Sequence, residues 1–123
     1  MIKLTIEKDP IPAARSRFNS QRGGVYQPTR NAEYRREVEM TARLAMKSRP
    51  PMTGALSAEI KLYRRYRPTS KRFGDCDNHL KALFDGLNGI VFVDDSQLVR
   101  VTVTKHEDKT SPRVEIILSE ADT

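Results

Sequence analysis

Asp77-Asn78-His79-Leu80-Lys81-Ala82-Leu83-Phe84-Asp85-Gly86-Leu87-Asn88 carries the clearest helical period in the chain, with Leu80, Leu83, Phe84 and Leu87 at i, i+3, i+4 and i+7. The spacing predicts an amphipathic helix over residues 78–88, and Asn88-Gly89 suits a left-handed C-cap. Before it, Leu56, Ala58, Ile60 and Leu62 alternate with polar neighbours, which predicts a strand over 55–64. After it, a short apolar strand, Ile90 to Val93, is expected to run into Asp94-Asp95, followed by strands at 98–105 and 113–118. Ile2, Leu4 and Ile6 alternate in the same way at the start of the chain. Tyr34, Val38, Ala42 and Ala45 mark a second helix over 32–47, with Asn31 as its N-cap and Pro50-Pro51 as its stop. The order β, α, β, α, β, β, β gives an α/β (α+β) class, a small mixed sheet with two helices in one domain spanning 1–123.

The chain has 123 residues, about one domain's worth, and no repeat or linker divides it. Its single cysteine, Cys76, rules out an intrachain disulfide and favours a reducing, cytoplasmic setting. The first residues alternate instead of forming an apolar block, so no signal peptide is expected. No apolar stretch is long enough for a membrane helix.

Charge is the stronger clue. The chain holds 22 Lys and Arg against 16 Asp and Glu, a net charge of +6, and the signs are segregated. Residues 10–30 contain Arg15, Arg17, Arg22 and Arg30 and no acid. Residues 61–72 contain Lys61, Arg64, Arg65, Arg67, Lys71 and Arg72, again with no acid. Residues 74–95 then hold Asp75, Asp77, Asp85, Asp94 and Asp95 against Lys81 alone. A protein that only coats nucleic acid gains nothing from carboxylates between its basic segments, because each repels phosphate.

Read singly, Asp77 is a helix N-cap and Asp75 a solvated loop residue. Read as an extended segment, Asp75-Cys76-Asp77 turns both carboxylates to one side, where a hard cation would neutralise them. An EF-hand is excluded, since Leu80 and Gly86 stand where that loop needs glycine and glutamate. Asp77, Lys81 and Asp85 share one helix face, either as an ion-pair ladder or with Lys81 held ready for a phosphate. His79 and His106 are too isolated to read as metal ligands, and Tyr26 reads as an ordinary loop residue.

The run Arg72-Phe73-Gly74-Asp75-Cys76-Asp77-Asn78-His79-Leu80-Lys81, with Asp85 beyond it and then Val93-Asp94-Asp95-Ser96-Gln97-Leu98, resembles the RusA family of Holliday-junction resolvases. The likeness is close over about residues 72–105 and looser in the Pro- and Arg-rich start. It implies a homodimeric, Mg²⁺-dependent endonuclease, with Mn²⁺ as a substitute metal, that nicks four-way DNA junctions symmetrically in recombination and repair. On that resemblance Asp75, Asp77 and Asp95 are metal-binding catalytic carboxylates and Lys81 is the essential lysine. Asp94 is a further candidate ligand. The interval between Asp85 and Asp95 is a residue shorter than the family's pattern, which leaves open which of Asp94 and Asp95 points inward. Arg15, Arg17, Arg64, Arg65, Arg67, Lys71 and Arg72 are the candidate DNA contacts. No membrane partner and no nucleotide cofactor are expected. Two other readings stay open: a non-catalytic basic DNA-binding accessory protein, and a metal-dependent nuclease without junction preference.

Overall fold

A computed structural model of the chain describes residues 1–13, 18–19, 24–25 and 29–121. Among these residues six strands and two α-helices follow one another as β1 (Ile2–Ile6), β2 (Phe18–Asn19), β3 (Gly24–Val25), α1 (Thr29–Met46), β4 (Leu56–Arg64), α2 (Cys76–Leu87), β5 (Leu98–Glu107) and β6 (Arg113–Glu120). The main sheet runs β1-β6-β4-β5, and β2 and β3 form a separate two-stranded ribbon. β6 is antiparallel to both β1 and β4, whereas β4 and β5 are parallel. The fold is therefore the mixed α+β arrangement that the alternating patterns predict.

Strand periodicity explains which face is covered. Ile2, Leu4 and Ile6 of β1, Leu56, Ala58, Ile60 and Leu62 of β4, and Val114, Ile116 and Leu118 of β6 are all buried on one face. The helices bring the other half of the core. Tyr34, Val38, Ala42 and Met46 line the inner side of α1, and Leu83, Phe84 and Leu87 that of α2. The helices touch each other closely at Gly86, where an added Cβ would stand 2.6 Å from Val38 Cγ1. Glycine there has a packing reason, not a catalytic one.

Three local expectations change. Residues 90–93 do not form a strand. Val91 N–H donates back to Leu87 O, Met52 N–H donates to Val91 O, and Phe92 makes only isolated bridges to Met52 and Asn88. Four apolar residues were enough to bury Val91 and Phe92, but the tight return from α2 leaves no length for a ladder. Asn31 is not an N-cap, because α1 begins at Thr29 and the Asn31 side chain donates instead to Pro12 O at 3.2 Å. The second helix starts at Cys76, ahead of its apolar stripe. Gly89, with φ of 80°, does occupy the left-handed position just past α2, as its sequence suggests.

Among the described residues no helix is long and apolar enough to cross a membrane.

Candidate active site at the start of helix α2

Arg64 sets the position of this region. It ends β4 with its side chain pointing to the buried face, where charge is tolerated only if it is paired and hydrogen-bonded. Its Nε and Nη2 donate to the two carboxylate oxygens of Asp9 at 3.0 and 3.2 Å. Its Nη1 donates to the carbonyls of Arg72 and Phe73 at 3.1 and 2.7 Å. One guanidinium thus ties the end of β4, the segment after β1 and the residues just before Asp75. Gly74 then turns the chain with φ of 95°, in a space where a Cβ would sit 2.9 Å from both His79 Nε2 and Pro12 Cγ.

His79 completes this support. It is buried, and its Nε2–H donates to Phe73 O at 2.6 Å, which leaves Nδ1 as the unprotonated nitrogen. Burial pushes its pKa down to about 4; the bond to Phe73 opposes that shift, and the nearby Arg64 charge adds to it. His79 is a neutral strut, in keeping with its exclusion as a ligand.

On this base stands Asp75, the N-cap of α2, in extended conformation and with no capping hydrogen bond from its side chain. Asp77 follows in the first turn and is exposed. The two carboxylates are not presented by an extended segment, as the i, i+2 reading expected. The helix begins between them, and residues two apart on a helix do not face alike. Asp77 does not cap either, because Asp75 holds that place. Lys81 and Asp85 continue the exposed stripe, yet no ion pair within 4.0 Å joins Asp77, Lys81 and Asp85 among the described residues. The ladder reading has no support in the geometry.

Asp94 and Asp95 differ sharply. Asp94 caps a single 3₁₀ turn, Asp95–Gln97: its Oδ2 accepts from Ser96 N–H at 3.0 Å, and Gln97 Oε1 accepts from Asp94 N–H at 3.0 Å. The hydrogen bonds from Ser96 hold the Asp94 carboxyl below its ordinary range. Gln97 Nε2 donates to Met52 O and Gly54 O, both at 3.0 Å, and so fastens the turn to the chain before β4. Asp95 is half-buried, and its side chain has no hydrogen bond among the described residues.

The candidate residues do not all meet in one chain. Among the described residues no three His, Cys, Asp or Glu side chains come together as a metal site. Asp95 precedes the end of the parallel pair at which Leu56 faces Leu98, whereas Asp75 follows the end at which Arg64 faces Glu107. The nine residues of β4 between those ends span about 26 Å. Asp75 and Asp77 are at one end and Asp95 is at the other.

The basic residues divide as well. Arg65, Arg67, Lys71 and Arg72 are exposed around the segment between β4 and α2. Arg64 is not available as a DNA contact: it is 5% exposed and its guanidinium is occupied by Asp9 and two carbonyls. Arg15 and Arg17 lie outside the described residues. The flanks of their segment are nevertheless fixed beside the site, since Ala13 N–H donates to Asn78 O and Pro12 O accepts from Asn31. Asp9 and Gln97 were missed as positioning residues. Asp9 carries no local signal, being 55 positions from its partner, whereas the Asp-x-x-Gln spacing of a capping box was there to be read.

The family model Endodeoxyribonuclease RusA matches residues 7–119, a span that starts just after β1 and reaches all but the last residue of β6. The chain belongs to the RusA endodeoxyribonuclease family. It is also 30% identical, over 142 aligned residues, to the uncharacterized protein YqaN of Bacillus subtilis (strain 168), covering 97% of this chain and 96% of that protein. The RusA match embraces both the Asp75–Asp77 turn and the Asp94–Gln97 turn.

Proposed function

We propose that this RusA-family protein is a Mg²⁺-dependent endonuclease that resolves four-way DNA junctions by paired symmetric nicks, working as a homodimer. The observation that carries this reading is the uncommitted acidic start of α2. Asp75 occupies an N-cap without capping, and Asp77 and Lys81 share an exposed face without pairing. A non-catalytic accessory protein would use these aspartates as caps and ion-pair partners, and among the described residues they have neither task.

The donor set suits a hard cation, because carboxylates without other partners offer the oxygen ligands that Mg²⁺ takes. Asp75, Asp77 and Asp95 would hold it, with Asp94 kept back by its capping bonds. Bound there, the ion would polarise the phosphate and lower the pKa of the attacking water. Asp95 stands at the far end of the β4–β5 pair from the other two, so a site using all three draws it from a second copy. That requirement supports the homodimer.

The chain's own residues do the rest. Lys81, which has no ion-pair partner among the described residues, offers its ammonium to the phosphate oxygens, which gain charge as water adds to phosphorus and the P–O bond to the leaving oxygen breaks. Arg65, Arg67, Lys71 and Arg72 grip neighbouring phosphates and fix the strand without reading its bases. A two-fold pair of such sites matches the pseudo-symmetry of a four-way junction.

The test is cleavage of a synthetic four-way junction beside linear duplex of the same sequence, with Mg²⁺ present or chelated. Paired nicks in the junction alone, lost on chelation and in Asp77→Asn, are expected. Tight binding without cleavage under any metal would return the accessory-protein reading. Equal cutting of both substrates would keep the nuclease and remove the junction preference.

A further inference from the structure

β5 turns an amine towards the covered face of the sheet. Val101, Val103 and Lys105 stand opposite Ala58, Ile60 and Leu62 of β4 and so share their helix-covered face. Val103 packs against the core there. Lys105 is half-buried, and its Nζ stands 5.2 Å from the centre of the Phe73 ring and donates to Pro68 O at 3.4 Å. Among the described residues no carboxylate lies within 4.0 Å of it.

Both partners of Lys105 belong to the basic segment between β4 and α2. Residues 65–73 are shaped by bonds of their own: Ser70 N–H donates to Arg67 O at 2.9 Å, Phe73 N–H to Ser70 O at 3.0 Å and Arg72 N–H to Ser70 Oγ at 3.2 Å. Near the two ends of the segment Tyr66 and Phe73 pack against the core, and the Phe73 carbonyl accepts from Arg64 at 2.7 Å and bonds His79 of α2 at 2.6 Å. The tip is held otherwise. Among the described residues, the bond from Lys105 to Pro68 O is the only hydrogen bond that joins residues 65–71 to anything outside 65–73.

We infer that Lys105 is a positioning residue for the DNA substrate: it holds the tip of the basic segment at a fixed place relative to Asp75, so that Arg65, Arg67, Lys71 and Arg72 meet the phosphates beside the bond to be cut. This inference rests on the nuclease reading above and adds a residue to it. The charge arrangement favours it. The segment carries those four exposed bases and no acid, so a fifth cation beside it gains no Coulomb energy in the free protein. That repulsion is relieved once phosphates line the segment. Through Phe73, Lys105 also bears on the residue two positions before Asp75, so the tip and the start of α2 are held from one point. Its ammonium is taken up by the Pro68 carbonyl and the Phe73 ring, and it therefore acts through the segment instead of touching phosphate itself.

Lys105→Met keeps the stem and removes both contacts of the ammonium. Hydrogen exchange across residues 66–73 is expected to quicken in this variant, while that of β4 and β6 stays as in the native protein. KM for a four-way junction should rise about tenfold and kcat fall by less than about threefold, the pattern of weakened substrate positioning. The slope of binding against salt should be unchanged, because no phosphate contact is lost. Lys105→Arg should restore KM, since a guanidinium can also lie on the ring and donate to the carbonyl. A salt slope shallower by about one unit in Lys105→Met would make Lys105 a direct phosphate contact and overturn the positioning role. An unchanged KM, or exchange across 66–73 as slow as in the native protein, would overturn this inference alone while the native protein still cuts junctions. A native protein that neither binds nor cuts DNA would overturn the nuclease reading, and this inference with it.

Discussion

Two short helical segments begin with an aspartate in the capping position, and they use it in opposite ways. At the 3₁₀ turn Asp94 accepts from Ser96 N–H, Gln97 answers with its own bond to Asp94 N–H, and the turn is tied to Met52 and Gly54. At α2 Asp75 makes no capping bond, and the position of the helix start is set instead from beneath by Arg64, Gly74 and His79. An aspartate that caps is spent on stability. One that sits at the cap without bonding keeps its oxygens for something else, and the fold compensates with the part-buried Arg64–Asp9 ion pair beneath the turn. The comparison assigns structure to Asp94 and chemistry to Asp75.

The largest expected effect breaks that comparison at α2. Asp75→Asn and Asp77→Asn should each lower junction cleavage by at least about a thousand-fold, through loss of charge at the developing transition state. Asparagine is as good an N-cap as aspartate, so thermal unfolding of Asp75→Asn should match the native protein. Asp94→Ala should do the reverse, weakening the turn by loss of the Ser96 bond while leaving appreciable cleavage. A mixing experiment sharpens the point. Asp77→Asn and Asp95→Asn proteins, each inactive alone, should regain single-strand nicking when mixed, because one of the two sites in the mixed dimer is then intact. Persistent inactivity after subunit exchange would place both residues in the same chain's site.

Next comes the support. Arg64→Ala leaves Asp9 without its partner and two carbonyls without a donor, and should lower stability by about 3 kcal/mol or more in chemical denaturation. Arg64→Lys should not restore it, since an ammonium cannot reproduce the paired geometry. The pH dependence follows from His79. Its pKa is lowered to about 4 in the fold from 6.5, so the unfolded chain binds more protons between those values. The stability it allows is complete above pH 6.5 and is lost as pH falls towards 4, an effect of about 3 kcal/mol. His79→Gln should flatten the unfolding free energy across that window; an unchanged slope would show that the imidazole is not held neutral. The smallest effect is at the 3₁₀ turn, where Gln97→Ala removes two bonds to backbone carbonyls and should lower stability by about 1–2 kcal/mol.

Much of the fold was legible because it rests on local periodicity. The alternation of Leu56, Ala58, Ile60 and Leu62 locates β4 to within a residue, and the Leu80–Leu87 stripe locates α2 to within two. The strand expected at 90–93 fails because four apolar residues fit a buried turn as well as a ladder, and only the closeness of Met52 to Val91 decides between them. Among the site residues, sequence spacing marks Asp75, Asp77, Lys81 and Asp95 but says nothing of which carboxylates are free. Arg64 illustrates the limit. Within Lys61–Arg72 it looks like any other base, yet strand parity turns it inward while Arg65, its neighbour, is exposed.

By itself, then, the sequence determined the elements, the segregation of acidic and basic segments, and the family, since these depend on residue type and on separations of a few positions. The tertiary structure decided which charges are buried, which aspartates are spent on caps, and at which end of the sheet each candidate lies. Those depend on contacts such as Asp9 with Arg64 and Gln97 with Met52, formed 55 and 45 residues apart. No local pattern encodes such a pair, because its energy comes from the desolvation of groups that meet only when the sheet has closed.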